Sequence, residues 1–239
     1  MIHSSVVIAA ESIGEDVSID AFCVIGSGVR IGRGCVLHPH VVLGDGVVLG
    51  DYVEVFSGAV IGREPKGAGA TARTPFFERM VNIGSHCSIG AHAVIYYDAV
   101  IGEHTLVGDG ASIREQARIG SRCIISRCVT LNYNVTIGDD SKIMDLTHIT
   151  GNCTLGKHVF LSVHVSTVND NAIGTGGYSE EKILGPTFED GCMVGANAVI
   201  LPAVVIGREA TVAAGSVVTR NVLPGTAVFG IPARTRGPR

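Results

Sequence analysis

Three side chains, Arg114, Asn132 and His148, sit where nothing about the local backbone calls for them. His148 brings an imidazole, which titrates near neutrality and can move a proton or hold a polar substrate. Glu115, Gln116, Tyr133, Asn134, Asp145, Asn152, Asn169 and Asp170 lie close by in the chain. For some of these a plainer reading competes. Asp98, Gln116, Asn134, Asn152 and Asp170 recur every 18 residues, as a turn column would, and Asn and Asp tolerate left-handed backbone angles.

The element that must position them is a repeat. Ile83, Ile89, Ile95, Ile101, Val107, Ile113, Ile119, Ile125, Leu131, Ile137, Ile143, Ile149, Leu155, Leu161, Thr167 and Ile173 recur every six residues, and of the sixteen only Thr167 is not aliphatic. The same step runs earlier through Val7, Ile13, Ile19, Ile25, Ile31, Leu37, Leu43, Leu49, Val55 and Ile61, and later through Phe188, Val194, Ile200, Ile206, Val212 and Val218. Neither an amphipathic helix nor an alternating strand keeps that period. It predicts an all-β hexapeptide solenoid, one strand and one turn per repeat. With three hexads per turn, about ten coils stack to roughly 48 Å at the ordinary strand spacing.

The repeat breaks twice. Loops are expected at about 62–82 and 174–187, with a tail at 224–239, all within one domain spanning 1–239. Long structureless loops in compact domains are usually functional.

Composition narrows the function. Hydrophobic residues make up 46% of the chain and charged ones 17%, which suits an object that hides part of its wall in an oligomer. A net charge of −4 argues against a nucleic-acid grip, which needs a basic face. No apolar run approaches the roughly 18 residues of a membrane span, and the start lacks the pattern of a signal peptide. A cytoplasmic protein is expected. Cys23, Cys35, Cys87, Cys123, Cys153 and Cys192 each follow a core aliphatic by four residues, where free cysteine packs as a small hydrophobe. Only Cys128 breaks that register.

Columns 18 residues apart describe three walls. On the first, Gly84, Gly102, Gly120, Gly138, Gly156 and Gly174 follow the core positions, giving permissive angles and close approach. The second presents Leu106, Ile124, Met144 and Phe160, an apolar stripe that predicts burial against other copies and a homotrimer. The third replaces glycine with Tyr96, Arg114, Asn132, Thr150 and Val168, and points Val94, Ser112, Thr130, His148 and Ser166 outward.

The ending VGANAVILPAVVIGREATVAAGSVVTRNVLPGTAVFGIPAR resembles the coenzyme A end of hexapeptide acyltransferases. ASIREQ, LNYN, IMDLTHITGN and STVNDN resemble the branch that acts on dTDP-linked amino-deoxysugars. The chain thus resembles a left-handed β-helix N-acyltransferase of nucleotide-linked amino sugars. That resemblance implies acetyl-CoA as acyl donor and a groove between two subunits. The backbone at Gly195, Ala196, Ala213, Ala214 and Gly215 would lie along the pantetheine arm, with Arg220 and Arg234 near its phosphates. The tail arginines Arg234 and Arg236 also fit a plain solvated end. His148 would be a base or a positioning group, Asp145 would orient it or hold the amine, and Asn132, Tyr133 and Asn152 would bind the sugar. Arg114 and Glu115 would contact substrate or pair with each other. No metal is expected. The two loops would close over nucleotide and sugar.

Three rivals are weighed. A γ-class carbonic anhydrase needs converging histidines, and His86, His104 and His158 share a column that Arg122 and Asp140 interrupt. An ice-binding solenoid needs a flat wall of repeated Thr-x-Thr, which no wall shows. Another acyltransferase of this fold, acting on serine, a drug or a lipid-A precursor, stays open.

Overall fold

The computed structural model describes residues 1–70, 73–173, 175 and 179–235. Its strands form three sheets of ten, eleven and twelve strands, parallel and joined at every third strand of the chain, except at the end of the twelve-stranded sheet, where Arg234–Thr235 pairs antiparallel with Ala227–Phe229. This is a parallel β-helix, consistent with the left-handed form, and close to the ten coils expected. The core is the hexad series. Ile61, Ile95, Ile113, Leu131, Ile149 and Leu161 are all within 1% of fully buried. Cutting such a side chain to alanine costs about 2–5 kcal/mol.

Each coil repeats the same hydrogen-bond step, as in Asn132 N to Ile149 O at 2.8 Å and Arg114 N to Leu131 O at 3.0 Å. One residue beyond that step, the side chains at i and i+18 are neighbours. The ladder is modified where Thr167 interrupts the aliphatic series. Its Oγ1 accepts from Thr150 N at 2.8 Å and donates to His148 O at 3.2 Å, so the buried hydroxyl is satisfied on both counts.

The cysteine column is buried as expected, with Cys128 exposed. It is also polar. Sγ of Cys87 donates to Gly102 O at 3.1 Å, just as Thr105 Oγ1 donates to Gly120 O and Ser141 Oγ to Gly156 O. Burial pushes the Cys192 thiol up to about 12 and raises Cys153 further.

Several expectations need correcting. In the first coil Ile8, not Val7, takes the core register, pairing with Ile25 while Val7 pairs with Val24. Ile173 is not a core residue. It is 87% exposed with φ of 49°, and the strand Thr187–Phe188 takes the place it was expected to fill. The second insertion therefore starts just after Thr167. Met144 is off the apolar stripe, whose outward column passes through Lys142 between Ile124 and Phe160 and continues to Met193. Leu106, Phe160 and Met193 are 42, 38 and 48% exposed on this chain.

The glycine column does not use left-handed angles. A Cβ on Gly84 would meet Glu103 N at 2.5 Å, and one on Gly138 would meet Gly156 C at 2.6 Å, so close stacking of coils is what excludes a side chain. The positive angles fall two residues later, at His86, His104, Arg122, Asp140 and His158. Gly174, Arg236 and Arg239 lie outside the described residues.

Candidate active site

The third wall has two edges. At one, the turns 126–128 and 144–146 lead into it from the second wall; at the other, the turns 114–116, 132–134 and 150–152 lead out to the first. His148 lies on the strand between, half-buried, with its Nδ1 2.7 Å from Thr130 Oγ1 in the coil before. Burial lowers its pKa below the ordinary imidazole value.

Asp145 and Asn152 fall on opposite edges. The Asp145 carboxylate accepts from Arg127 Nη2 at 2.6 Å and from Ser126 Oγ, and these hydrogen bonds, the arginine's foremost, hold its pKa down at about 2. Its hydrogen-bond partners are one coil away, not the imidazole three residues on. Asn152 belongs to the other edge: its Oδ1 accepts from Asn134 Nδ2 and its Nδ2 donates to Ile183 O, each at 2.8 Å. Its φ of 61° also bears out the turn role expected of it, as do those of Asp98, Gln116 and Asn134, but Asp170, the last member of that column, does not take a left-handed angle.

At that second edge the chain builds a cleft of about 560 Å³, lined by Arg73, Thr74, Phe76, Gln116, Tyr133, Asn134, Asn152, Ile183 and Leu184. Both insertions reach it, the first through Arg73 and Phe76, the second through Ile183 and Leu184. Its floor is fixed by a buried charge. Glu115 has a fully buried side chain and accepts from Arg73 Nη1 at 2.6 Å and from Arg114 Nε at 3.1 Å. A buried carboxylate is tolerable only with such partners. Arg73 then lies over the Tyr133 ring, 3.8 Å from its centroid. The ring in turn covers Gly151, where a Cβ would come within 2.7 Å of it. Asn132 accepts from Tyr133 N at 3.1 Å, bracing the same turn.

Arg63 donates to Tyr96 Oη at 2.7 Å and Arg114 flanks the same ring. Arg73 and Arg114 thus both pair with Glu115, while Arg63 is held on Tyr96. The base of the first insertion is packed as well: Phe77 stacks on the buried Tyr97 ring, and Arg79 pairs with Glu64 at 2.6 Å. Sequence reasoning missed Arg73, because a loop without a period offers no register from which to place a residue. It also left Glu115 open between substrate and structure.

The residues expected along coenzyme A lie near the C-terminal end. Ala213 lines an apolar depression of about 420 Å³ with Thr211, Ala227, Val228 and Phe229. Arg220 and Arg234 line a neighbouring one of about 210 Å³, which also touches Val228. Ala196 O accepts from Gly215 N at 2.8 Å, and Gly215 has φ of 69° with open space around it. Gly195 has a packing reason of its own, since a Cβ there would meet Ala214 N at 2.5 Å. Along the same second-to-third edge, at lower coils, runs a further depression of about 580 Å³ whose lining includes Leu106, Asp109 and Arg127.

The histidine column does not converge. His86 and His104 stack on each other at 4.8 Å, and Arg122 pairs with Asp140 at 2.8 Å between them and His158.

The fold and these surfaces define a hexapeptide-repeat parallel β-helix with a roofed cleft. The bacterial transferase hexapeptide family, in its six-repeat form, matches residues 12–45, 98–132 and 185–220. The 2,3,4,5-tetrahydropyridine-2,6-dicarboxylate N-acetyltransferase of Staphylococcus aureus strain bovine RF122 / ET3-1 is 53% identical over 47 residues, and the match spans 20% of each protein. Among solved structures, the UDP-N-acetylglucosamine acyltransferase of Arabidopsis matches over 99% of this chain and 74% of its own, with a TM-score of 0.68 at 22% identity. That of Francisella novicida matches over 99% and 70%, with a TM-score of 0.53 at 21% identity. The two structures establish likeness of fold, and the family match places the hexapeptide repeat in three stretches of the chain. No helix among the described residues is long and apolar enough to cross a membrane.

Proposed function

We propose that this protein is an N-acyltransferase that moves an acetyl or other short acyl group from coenzyme A to the amino group of a nucleotide-linked, dTDP-linked by preference, amino-deoxysugar. The observation that carries the reading is the lining of the cleft. Amides of Gln116, Asn134 and Asn152 suit the hydroxyls of a sugar ring, and the exposed Phe76 ring suits a base. The Arg73 guanidinium, which lines the cleft, suits a phosphate group. The local likeness to an N-acetyltransferase supports an amine as acceptor.

The wall between the two edges is where the halves would meet. Coenzyme A would come along the second-to-third edge, its arm over Ala213 and the backbone of Gly195, Ala196, Ala214 and Gly215, its phosphates near Arg220 and Arg234. Two coils separate the turn of Ala196 from that of Asp145, about 10 Å at the usual strand spacing. The acceptor would sit in the cleft at the other edge, with Asn132, Tyr133 and Asn152 around the sugar. Arg114 and Glu115 hold the floor. In the transfer the amine nitrogen attacks the thioester carbon, the C–N bond forms and the C–S bond breaks. The proton lost by nitrogen ends on the departing thiolate, giving amide and free thiol. Positioning supplies much of the rate of such a reaction. The apolar second wall would be covered in a homotrimer, which brings a neighbouring copy to the same edge.

The test is thiol release from acetyl-CoA against a panel of dTDP- and UDP-linked amino sugars, with serine and a lipid-A precursor alongside. Release with an amino sugar and not with the others is expected. Release only with the others would overturn the choice of acceptor.

A further inference from the structure

We propose that Thr130 is a positioning residue that keeps the His148 proton on Nε2, so that the imidazole serves acyl transfer as a hydrogen-bond donor to the thioester oxygen and not as a base. The inference rests on the acyl-transfer reading above for the donor role, but not for the tautomer.

The geometry begins with one contact, Thr130 Oγ1 to His148 Nδ1 at 2.7 Å. A single proton lies between these atoms. The imidazole lone pair is a better acceptor than an alcohol oxygen, and the hydroxyl has a proton to give. The hydroxyl also has no other hydrogen bond among the described residues. Donation from Thr130 to Nδ1 leaves the ring's own proton on Nε2.

A base needs the opposite arrangement. Histidine acting as a base is held with its proton on Nδ1, commonly by a carboxylate that also stabilises the imidazolium. The carboxylate nearest in sequence, Asp145, is spent on Arg127 and Ser126. Burial disfavours the imidazolium further. The reaction itself makes little demand for a base, since the proton passes to the thiolate. It does make a demand for a donor where negative charge develops on the thioester oxygen. Nε2–H meets that demand, and Thr130 sets it without entering the reaction.

Two measurements on the full chain test this. The first is proton-detected nitrogen NMR of protein labelled in histidine, with His148→Gln used to assign the His148 signal. The proton is expected on Nε2 in the unaltered protein and in Thr130→Ser, and shared between both nitrogens in Thr130→Val. A proton on Nδ1 in the unaltered protein overturns the proposal. The second is the thiol-release rate with thermal unfolding as a check on folding. His148→Ala is expected to slow turnover on the order of 10²-fold, as loss of one oxyanion donor does. His148→Gln, whose amide keeps a donor at the same reach, is expected to be about tenfold faster than His148→Ala. Equal rates for the two overturn the donor role. If no acceptor releases thiol, the acyl-transfer reading falls and takes the donor role with it, while the nitrogen spectrum still decides what Thr130 does.

Discussion

Two corners of the prism solve the same turn in opposite ways. Between the first and second walls the residue after each core aliphatic is glycine, and the next coil sits so close that a Cβ on Gly84, Gly102 or Gly138 would strike its backbone at 2.5–2.6 Å. Between the third and first walls the same position holds Tyr96, Arg114, Asn132 and Thr150. The glycine corner is closed by backbone packing and has nothing to offer a ligand. The other corner replaces that packing with side chains, and it needs a buried ion pair and a stacked ring to hold itself in shape. In this solenoid the cleft arises where the residue after the core aliphatic keeps a side chain, while the backbone hydrogen bonds between coils continue, as from Asn134 N to Glu115 O at 3.0 Å.

That contrast breaks first at Glu115. Glu115→Gln leaves Arg73 and Arg114 facing a buried neutral group, and loss of about 3 kcal/mol is expected. Chemical denaturation reads the loss, together with faster proteolysis of the insertion around 64–80 in the folded protein. Unchanged stability and protection would mean that the corner does not depend on the pair. The glycine corner should give way next. Gly138→Ala forces a methyl group against Gly156 and is expected to cost about 1–3 kcal/mol, or several degrees in Tm, with no specific effect on acceptor KM. A smaller and different effect is expected at Gly151. There the obstacle is the Tyr133 ring, which can move. Gly151→Ala should cost less than about 1 kcal/mol in stability yet raise the KM for the acceptor by about tenfold, since the ring and Arg73 shift together. A stability loss as large as that of Gly138→Ala would show that the two corners are alike after all.

The smallest effect belongs to the other edge of the third wall. Arg127 and Ser126 depress the Asp145 pKa from an ordinary 3.8 to about 2. A depressed carboxylate stabilises the fold above its unfolded pKa and stops doing so as pH falls through its folded one. Asp145→Asn should therefore flatten the acid side of the stability curve between about pH 4 and pH 2. The effect is a slight one because the pair faces solvent, and acid titration of Tm in both proteins would detect it.

Much of this was legible in the chain. Period six fixes the three sheets, and the aliphatic core follows it almost without exception. The errors have physical causes. Ile173 kept the period by coincidence, since an insertion can carry an aliphatic residue at any phase. Met144 looks like a stripe residue by its spacing from the core, but register against Ile124 and Phe160 puts Lys142 there. The site was read less well than the fold because proximity along the chain suggested pairs. Asp145 and His148, three apart, look like a dyad. In a solenoid the partner is one coil away: Arg127 with Asp145, Thr130 with His148, Asn134 with Asn152, all 18 apart. Those pairs were readable in principle. Arg73 was not, because nothing in an aperiodic loop places it over Tyr133.

Both insertions leave the stack at the same corner. One departs after Val60–Arg63 and returns at Val81–Ile83; the other departs after Ser166–Thr167 and returns at Thr187–Phe188. They leave the third wall five coils apart, and the strands there keep their neighbours, with one register shift between Ile61 and Arg63 at the first. Either segment can consequently change in length or composition without renegotiating the scaffold, so that the lining of the cleft can be rewritten while the coils beneath it stay as they are.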